Sequence, residues 1–90
     1  MSGESEFERL WERLSPIDRT VLQRLVVSGR GIYQDESRQL IAEELGLEEP
    51  VPVHVVQTAI NRMRGDTIGP SGHGAWDFED SGFKRWVAEK

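Results

Sequence analysis

Apolar residues recur at helical spacing in five stretches of the chain. Phe7, Leu10, Trp11 and Leu14 fall at i, i+3, i+4 and i+7, which predicts a first helix over about residues 5–14, with residues 1–4 as a disordered tail. Ser15 and Pro16 then restart the chain: serine is a favoured N-cap, and proline at the first helical position gives up no useful N–H. A second helix follows over about 16–27, and its broad arc of Ile17, Val21, Leu22, Leu25 and Val26 places it at the centre of the core. The SGRG segment supplies Gly29 and Gly31 as its expected stop. Asp35 is the expected cap of a short third helix, about 36–45, with Leu40, Ile41 and Leu45 inward and Gly46 as its C-terminal stop.

The linker LEEPVP forces a turn, because each proline restricts the residue before it to extended conformations. Beyond it, VHVVQTAINRMR predicts a fourth helix over about 53–64. At about 100° per residue, Val56, Ala59, Ile60 and Met63 share one narrow arc, and His54, Gln57, Thr58, Asn61 and Arg62 share the opposite one. After Gly65 the period changes to that of a hairpin over about 66–78, with PSGHG at its tip and Trp76 and Phe78 on one strand face. Phe83, Trp86 and Val87 predict a closing helix over about 80–89. The expected fold class is therefore mostly α with a small β-hairpin, an α+β domain of the winged helix-turn-helix kind, with the whole chain as one unit.

Charge sharpens this picture. The chain of 90 residues carries a formal net charge of −5 at pH 7, yet the stretch 50–65 holds two arginines and no acid, against eleven acids and six arginines in residues 1–49. Because the Debye length is about 8 Å at physiological salt, local charge outweighs the total, and the fourth helix is the expected binding face. The chain has no cysteine, so disulfides and cysteine-rich zinc sites are excluded, and its two histidines lie 19 residues apart. No apolar run approaches the roughly 20 residues of a membrane span, and the acidic start does not resemble a signal peptide. These features predict a cytoplasmic protein without a membrane partner.

The candidate chemistry is that of recognition. Gln57 and Asn61 lie four residues apart on the outward arc, and carboxamides pair bidentately with adenine in the major groove, each good pair contributing about 1–3 kcal/mol of discrimination. Arg62 is expected to meet guanine or phosphate, and Arg64 to meet phosphate. His54 and Thr58 complete the major-groove face, and Ser71 and His73 in the hairpin tip are the expected backbone or minor-groove contacts. If Arg62, Arg64, Arg38 and Lys84 each neutralised one phosphate, the salt slope would be about −3.6. Such weak contact calls for a dimer or a linked partner.

No constellation supports an enzyme. Glu43 with Glu44, and Glu48 with Glu49, are adjacent on the chain and do not face one another on a helix. The serines stand in capping or loop contexts rather than nucleophile motifs, and neither histidine has an acid at ligand spacing, so no metal or cofactor is expected. Arg64-Gly65-Asp66 matches an adhesion tripeptide by chance. Trp11, Trp76, Trp86, Phe7, Phe78 and Phe83 fall on inward faces and are assigned to packing, whereas Tyr33 is expected to touch a partner or to cover the second helix.

The series LSPIDRTVLQRL, IAEELGL, VVQTAINRMRG and WDFEDSGFKRWV, over about residues 7–88, resembles the C-terminal winged-helix domain attached to many archaeal and bacterial P-loop ATPases. In that family a glycine-rich wing runs into a strand, an acidic residue and a closing aromatic helix, matched here by GHGAWDFEDSGFKRWV. Two departures stand out. The phosphate-cradling GxxxxGK[ST] is absent, so this chain is not itself the ATPase, and the wing tip carries no Lys or Arg. The resemblance implies a winged helix, and the outward face of the fourth helix makes it an expected DNA-binding module or small transcription regulator acting on double-stranded DNA. The alternative is a protein-interaction or dimerisation domain, either standing alone, as a homodimer or on a larger protein partner, or as the C-terminal winged helix of a larger ATPase, whose winged helix docks on its neighbour.

Overall fold

Ser15 and Pro16 open the helix around which the rest is arranged. In the computed structural model, which describes residues 2–90 and side chains from residue 5 onward, this helix is α2 (Pro16–Val27), preceded by α1 (Ser2–Arg13). The Ser15 hydroxyl accepts from the Asp18 N–H, as an N-cap should. α3 (Asp35–Leu45), α4 (Val53–Met63), β1 (Ile68–Pro70), β2 (Trp76–Phe78) and α5 (Ser81–Ala88) complete an α+β order compatible with a winged helix. α2 touches α3, α4, α5 and β2, so its apolar arc is covered on every side. Val21, Leu22 and Leu25 are buried against Ile41 of α3 and Val56 and Ile60 of α4 within one core cluster. Each such side chain contributes about 1.5–3 kcal/mol, as an upper estimate, by leaving water.

β1 and β2 pair antiparallel in the register Ile68↔Phe78, Gly69↔Asp77, Pro70↔Trp76. Gly72 and Gly74 both take positive φ at the tip, the conformation that their lack of a Cβ permits. A bridge between Arg30 and Ala75 ties the α2–α3 connection to the hairpin. Among the described residues, no helix is long and apolar enough to cross a membrane.

Four sequence expectations are corrected. α1 begins at Ser2, so helical backbone runs into the stretch 1–4 assigned to a tail, although Met1 and the side chains of 2–4 lie outside the described residues. The apolar period that predicted this helix starts only at Phe7 and could not mark its true beginning. Leu10 is exposed rather than inward, because α1 rests chiefly on α5 and buries a narrower stripe centred on Trp11. Asp35 is the first helical residue, not the cap: Gln34 is the N-cap, and the Asp35 carboxylate pairs with Arg38.

Gly29 does not end α2 in a left-handed turn. Ser28 caps that helix in extended conformation, and Gly29 instead lets Trp76 approach, its carbonyl accepting from the Trp76 N–H at 2.8 Å. A Cβ at position 29 would run into the Trp76 carbonyl oxygen. Gly29→Ala is therefore expected to cost about 1–3 kcal/mol, as other forced overpacking does. Urea unfolding measures it, and a loss below about 0.5 kcal/mol, the size of an ordinary surface substitution, would contradict this close approach.

Candidate functional site

α4 forms because its apolar arc has a core to face, and Val56, Ala59, Ile60 and Met63 are all buried as the sequence predicts. Pro52 is its N-cap and supplies no side-chain hydrogen bond, so the direction of α4 must be held elsewhere. Arg38 holds it. Its Nε donates to the Tyr33 carbonyl at 3.0 Å, its Nη1 to the Val51 carbonyl at 3.2 Å, and its Nη2 pairs with Asp35. The Arg38 carbonyl in turn accepts from the Val51 N–H at 3.3 Å. One arginine thus joins the loop before α3 to the turn before α4.

The outward face carries His54, Gln57, Thr58 and Asn61, all exposed. The Thr58 hydroxyl donates to the His54 carbonyl at 2.8 Å, a helix back-bond that occupies its proton and leaves its lone pairs outward. Arg62 is also exposed but differs from these four. It lies about 120° around the helix from Val56, on the flank that faces α2. There its Nε and Nη2 donate to Asp18 at 3.2 and 2.6 Å, in a two-point grip. The Asp18 side chain is only 5% exposed and that of Arg62 is 49% exposed. The hydrogen bond with Asp18 raises the Arg62 guanidinium above its ordinary pKa, against the opposing effect of burial. The arginine expected to read a base is thereby committed to the fold along one edge.

Lys84 is likewise engaged, with its Nζ 3.0 Å from Asp77. That ion pair, then the Phe78 N–H, hold the Asp77 carboxyl below the usual carboxylate range. The Arg64 guanidinium lies 5.7 Å from the centroid of the Trp76 ring, where a cation–π contact at an exposed site contributes about 0.5–1 kcal/mol. Arg64 itself remains exposed. Of the four cations expected to meet phosphates, three therefore have intramolecular ionic partners and the fourth sits on an aromatic face.

At the hairpin, Ser71 lines a polar hollow of about 300 Å³ with Ser28, Arg30, Asp77 and Lys84. Arg30 is not among the site residues expected from the sequence, because SGRG reads locally as a glycine stop and its closeness to Ser71 depends on the distant hairpin. His73 is exposed at the tip between two glycines, and no hydrogen bond joins it to α4 among the described residues. The structure thus gathers His54, Gln57, Thr58 and Asn61 of α4 on one face and Ser71 with Arg30 on another. Tyr33 is half-buried against the core, and burial pushes its hydroxyl above its ordinary pKa, the opposing hydrogen bond with Trp76 being the smaller effect.

Asp18 was also missed, although a signal existed. It stands at i relative to Val21, Leu22 and Leu25 at i+3, i+4 and i+7, which is an acid on a buried arc and so requires a cationic partner. Among the described residues no cluster of three or more His, Asp or Glu is placed to hold a metal ion. No family model matches the chain, and neither curated proteins nor solved structures yield a match.

Proposed function

We propose that this chain is a non-catalytic winged-helix domain whose α3–α4 region docks on another protein. The observation that carries this reading is the allocation of charge. Arg62, Arg38 and Lys84 serve internal acids and carbonyls, and the outward face of α4 is made by His54, Gln57, Thr58 and Asn61, with the half-open Arg62 held to Asp18 at its edge. Nucleic-acid affinity rests largely on free cations that displace counterions from phosphates. A face of His, Gln, Thr and Asn on an acidic domain suits hydrogen bonding to a protein surface better than it suits a polyanion.

A second reading, contact with double-stranded DNA, is favoured by two observations. Gln57 and Asn61 are both exposed on one side of α4, and Arg30 lies beside Ser71 in a hollow that would take a phosphate oxygen. Anisotropy of a labelled random-sequence duplex at two salt concentrations separates the two. The protein-docking reading expects no binding tighter than about 10⁻⁴ M at physiological salt, the weak end of nonspecific DNA association. Micromolar binding that falls steeply with salt and is lost in Arg64→Glu would overturn it in favour of DNA.

A further inference from the structure

The turn between α3 and α4 closes over an open groove of about 500 Å³, well within the roughly 300–1,000 Å³ of ordinary ligand sites. Ile17 from α2, Leu45 from α3, Val51 from the turn and Val55 from α4 supply its apolar lining. Leu47 stands at its edge, 52% exposed, and Val53 is exposed on the adjoining first turn of α4. A single exposed leucine needs no explanation, but apolar side chains gathered around a concavity form a surface that gains by being covered.

The charge around the groove has one sign. Glu48 and Glu49 line it, both exposed, and no Lys, Arg or His does. The last turn of α3 holds Glu43 and Glu44 as well, though these two border a separate hollow shared with Arg24. The carbonyl end of that helix adds partial negative charge, equivalent to about half an elementary charge. Among the described residues none of these four carboxylates takes part in an ion pair.

We propose that this groove docks a cationic amphipathic segment of a partner protein. One or two large apolar side chains seat on Ile17, Leu45, Val51 and Val55, and Lys or Arg residues flanking them face Glu48 and Glu49. The inference rests on the protein-docking reading and names the chemistry of its partner. α1 of a second copy is a poorer occupant, because its exposed Leu10 is flanked on the helix by Glu6 as well as Arg9 and Arg13, a mixed rather than cationic rim for Glu48 and Glu49.

The test is to titrate the isotope-labelled chain with a synthetic helical peptide of about 18 residues, long enough to hold a helix, carrying a leucine stripe flanked by lysines. A control peptide has glutamate in place of every lysine. Amide shift changes are expected to cluster at Ile17 and from Leu45 to Val55, with the glutamate peptide weaker by about tenfold or more, two or more charge pairs being lost. Leu47→Asp, and separately the double variant Glu48→Lys/Glu49→Lys, are expected to weaken the lysine peptide about fivefold each without changing Tm, since all three side chains are exposed. Absence of shifts at millimolar peptide, shifts centred elsewhere, equal binding of both peptides, or self-association that Leu47→Asp abolishes would each overturn the proposal. A null result with the peptide and no duplex binding removes the groove alone. Salt-steep duplex binding removes the docking reading with it.

Discussion

Arg62→Glu is expected to destabilise the domain by about 3 kcal/mol or more, and to do so whether or not the protein ever meets DNA. Breaking a buried ion pair by removing one partner costs about 3–5 kcal/mol, because the remaining charge keeps its desolvation penalty without its compensation. Asp18 is that remaining charge, with a side chain 5% exposed and two hydrogen bonds from Arg62 at 3.2 and 2.6 Å. The half-open Arg62 places the loss toward the low end, and a second carboxylate beside Asp18 raises it again by like-charge repulsion. Stabilities of small domains total about 5–15 kcal/mol, so the fall is a large share of the whole. Chemical unfolding of the variant measures it directly, and a loss under about 1 kcal/mol would show the pair to be no more than a surface contact. Charge reversal at this position would therefore weaken the fold as well as remove a contact, so a loss of DNA binding in it would not identify a phosphate or base contact. Arg64→Glu is the informative substitution, because it gives up only the contact with Trp76, about 0.5–1 kcal/mol.

What could be read from the sequence and what could not divide along one physical line. The order of helices and hairpin was legible because each is encoded locally: Ser15–Pro16 starts α2, Gly46 ends α3 at φ +75°, and the arc Val56, Ala59, Ile60, Met63 can only be one face of a helix. The face of α4 was legible for the same reason. The partners of its charges were not, since Arg62 and Asp18 lie 44 residues apart and meet only once α4 crosses α2. Arg38 likewise looks like a free cation on α3 until the loop at Tyr33 and the turn at Val51 close on it. The groove is the extreme case. Its lining comes from three helices and a turn, and no window of sequence contains both Ile17 and Val55. Gly29 shows the opposite error, a local rule applied where a distant strand had the stronger claim.

Phe83→Ala is expected to cost about 3–5 kcal/mol, the range for truncating a buried aromatic, and to release α5 from the rest of the domain. Asp80 caps this helix by accepting from the Gly82 and Phe83 N–H groups at 2.8 and 3.2 Å, yet eight residues are too few to stay helical on capping alone. Packing must hold it. The Phe83 ring, 2% exposed as a residue, lies 5.4 Å from Phe7, 5.9 Å from Phe78 and 6.0 Å from Trp86, so one side chain joins α1, β2 and α5. Its removal opens a cavity that three elements border and none can fill alone. Lys84, which pairs with Asp77 of β2, sits on the same helix, so that ion pair should loosen with it, while the hairpin keeps its backbone bond to Gly29, the Arg64–Trp76 contact and the burial of Ile68. Leu10→Ala on the more open side of α1 is the control and should cost clearly less, about 1 kcal/mol, because only part of that side chain leaves water. Denaturant titration followed by tryptophan emission reports both, because Trp11 and Trp86 pack edge to face at 6.0 Å beside Phe83. Equal losses in the two variants would mean that Phe83 is not the centre of the aromatic cluster. A large loss for Phe83→Ala alone would place the anchor of α5 there, on β2 and α1 and apart from the groove formed by α2, α3 and α4.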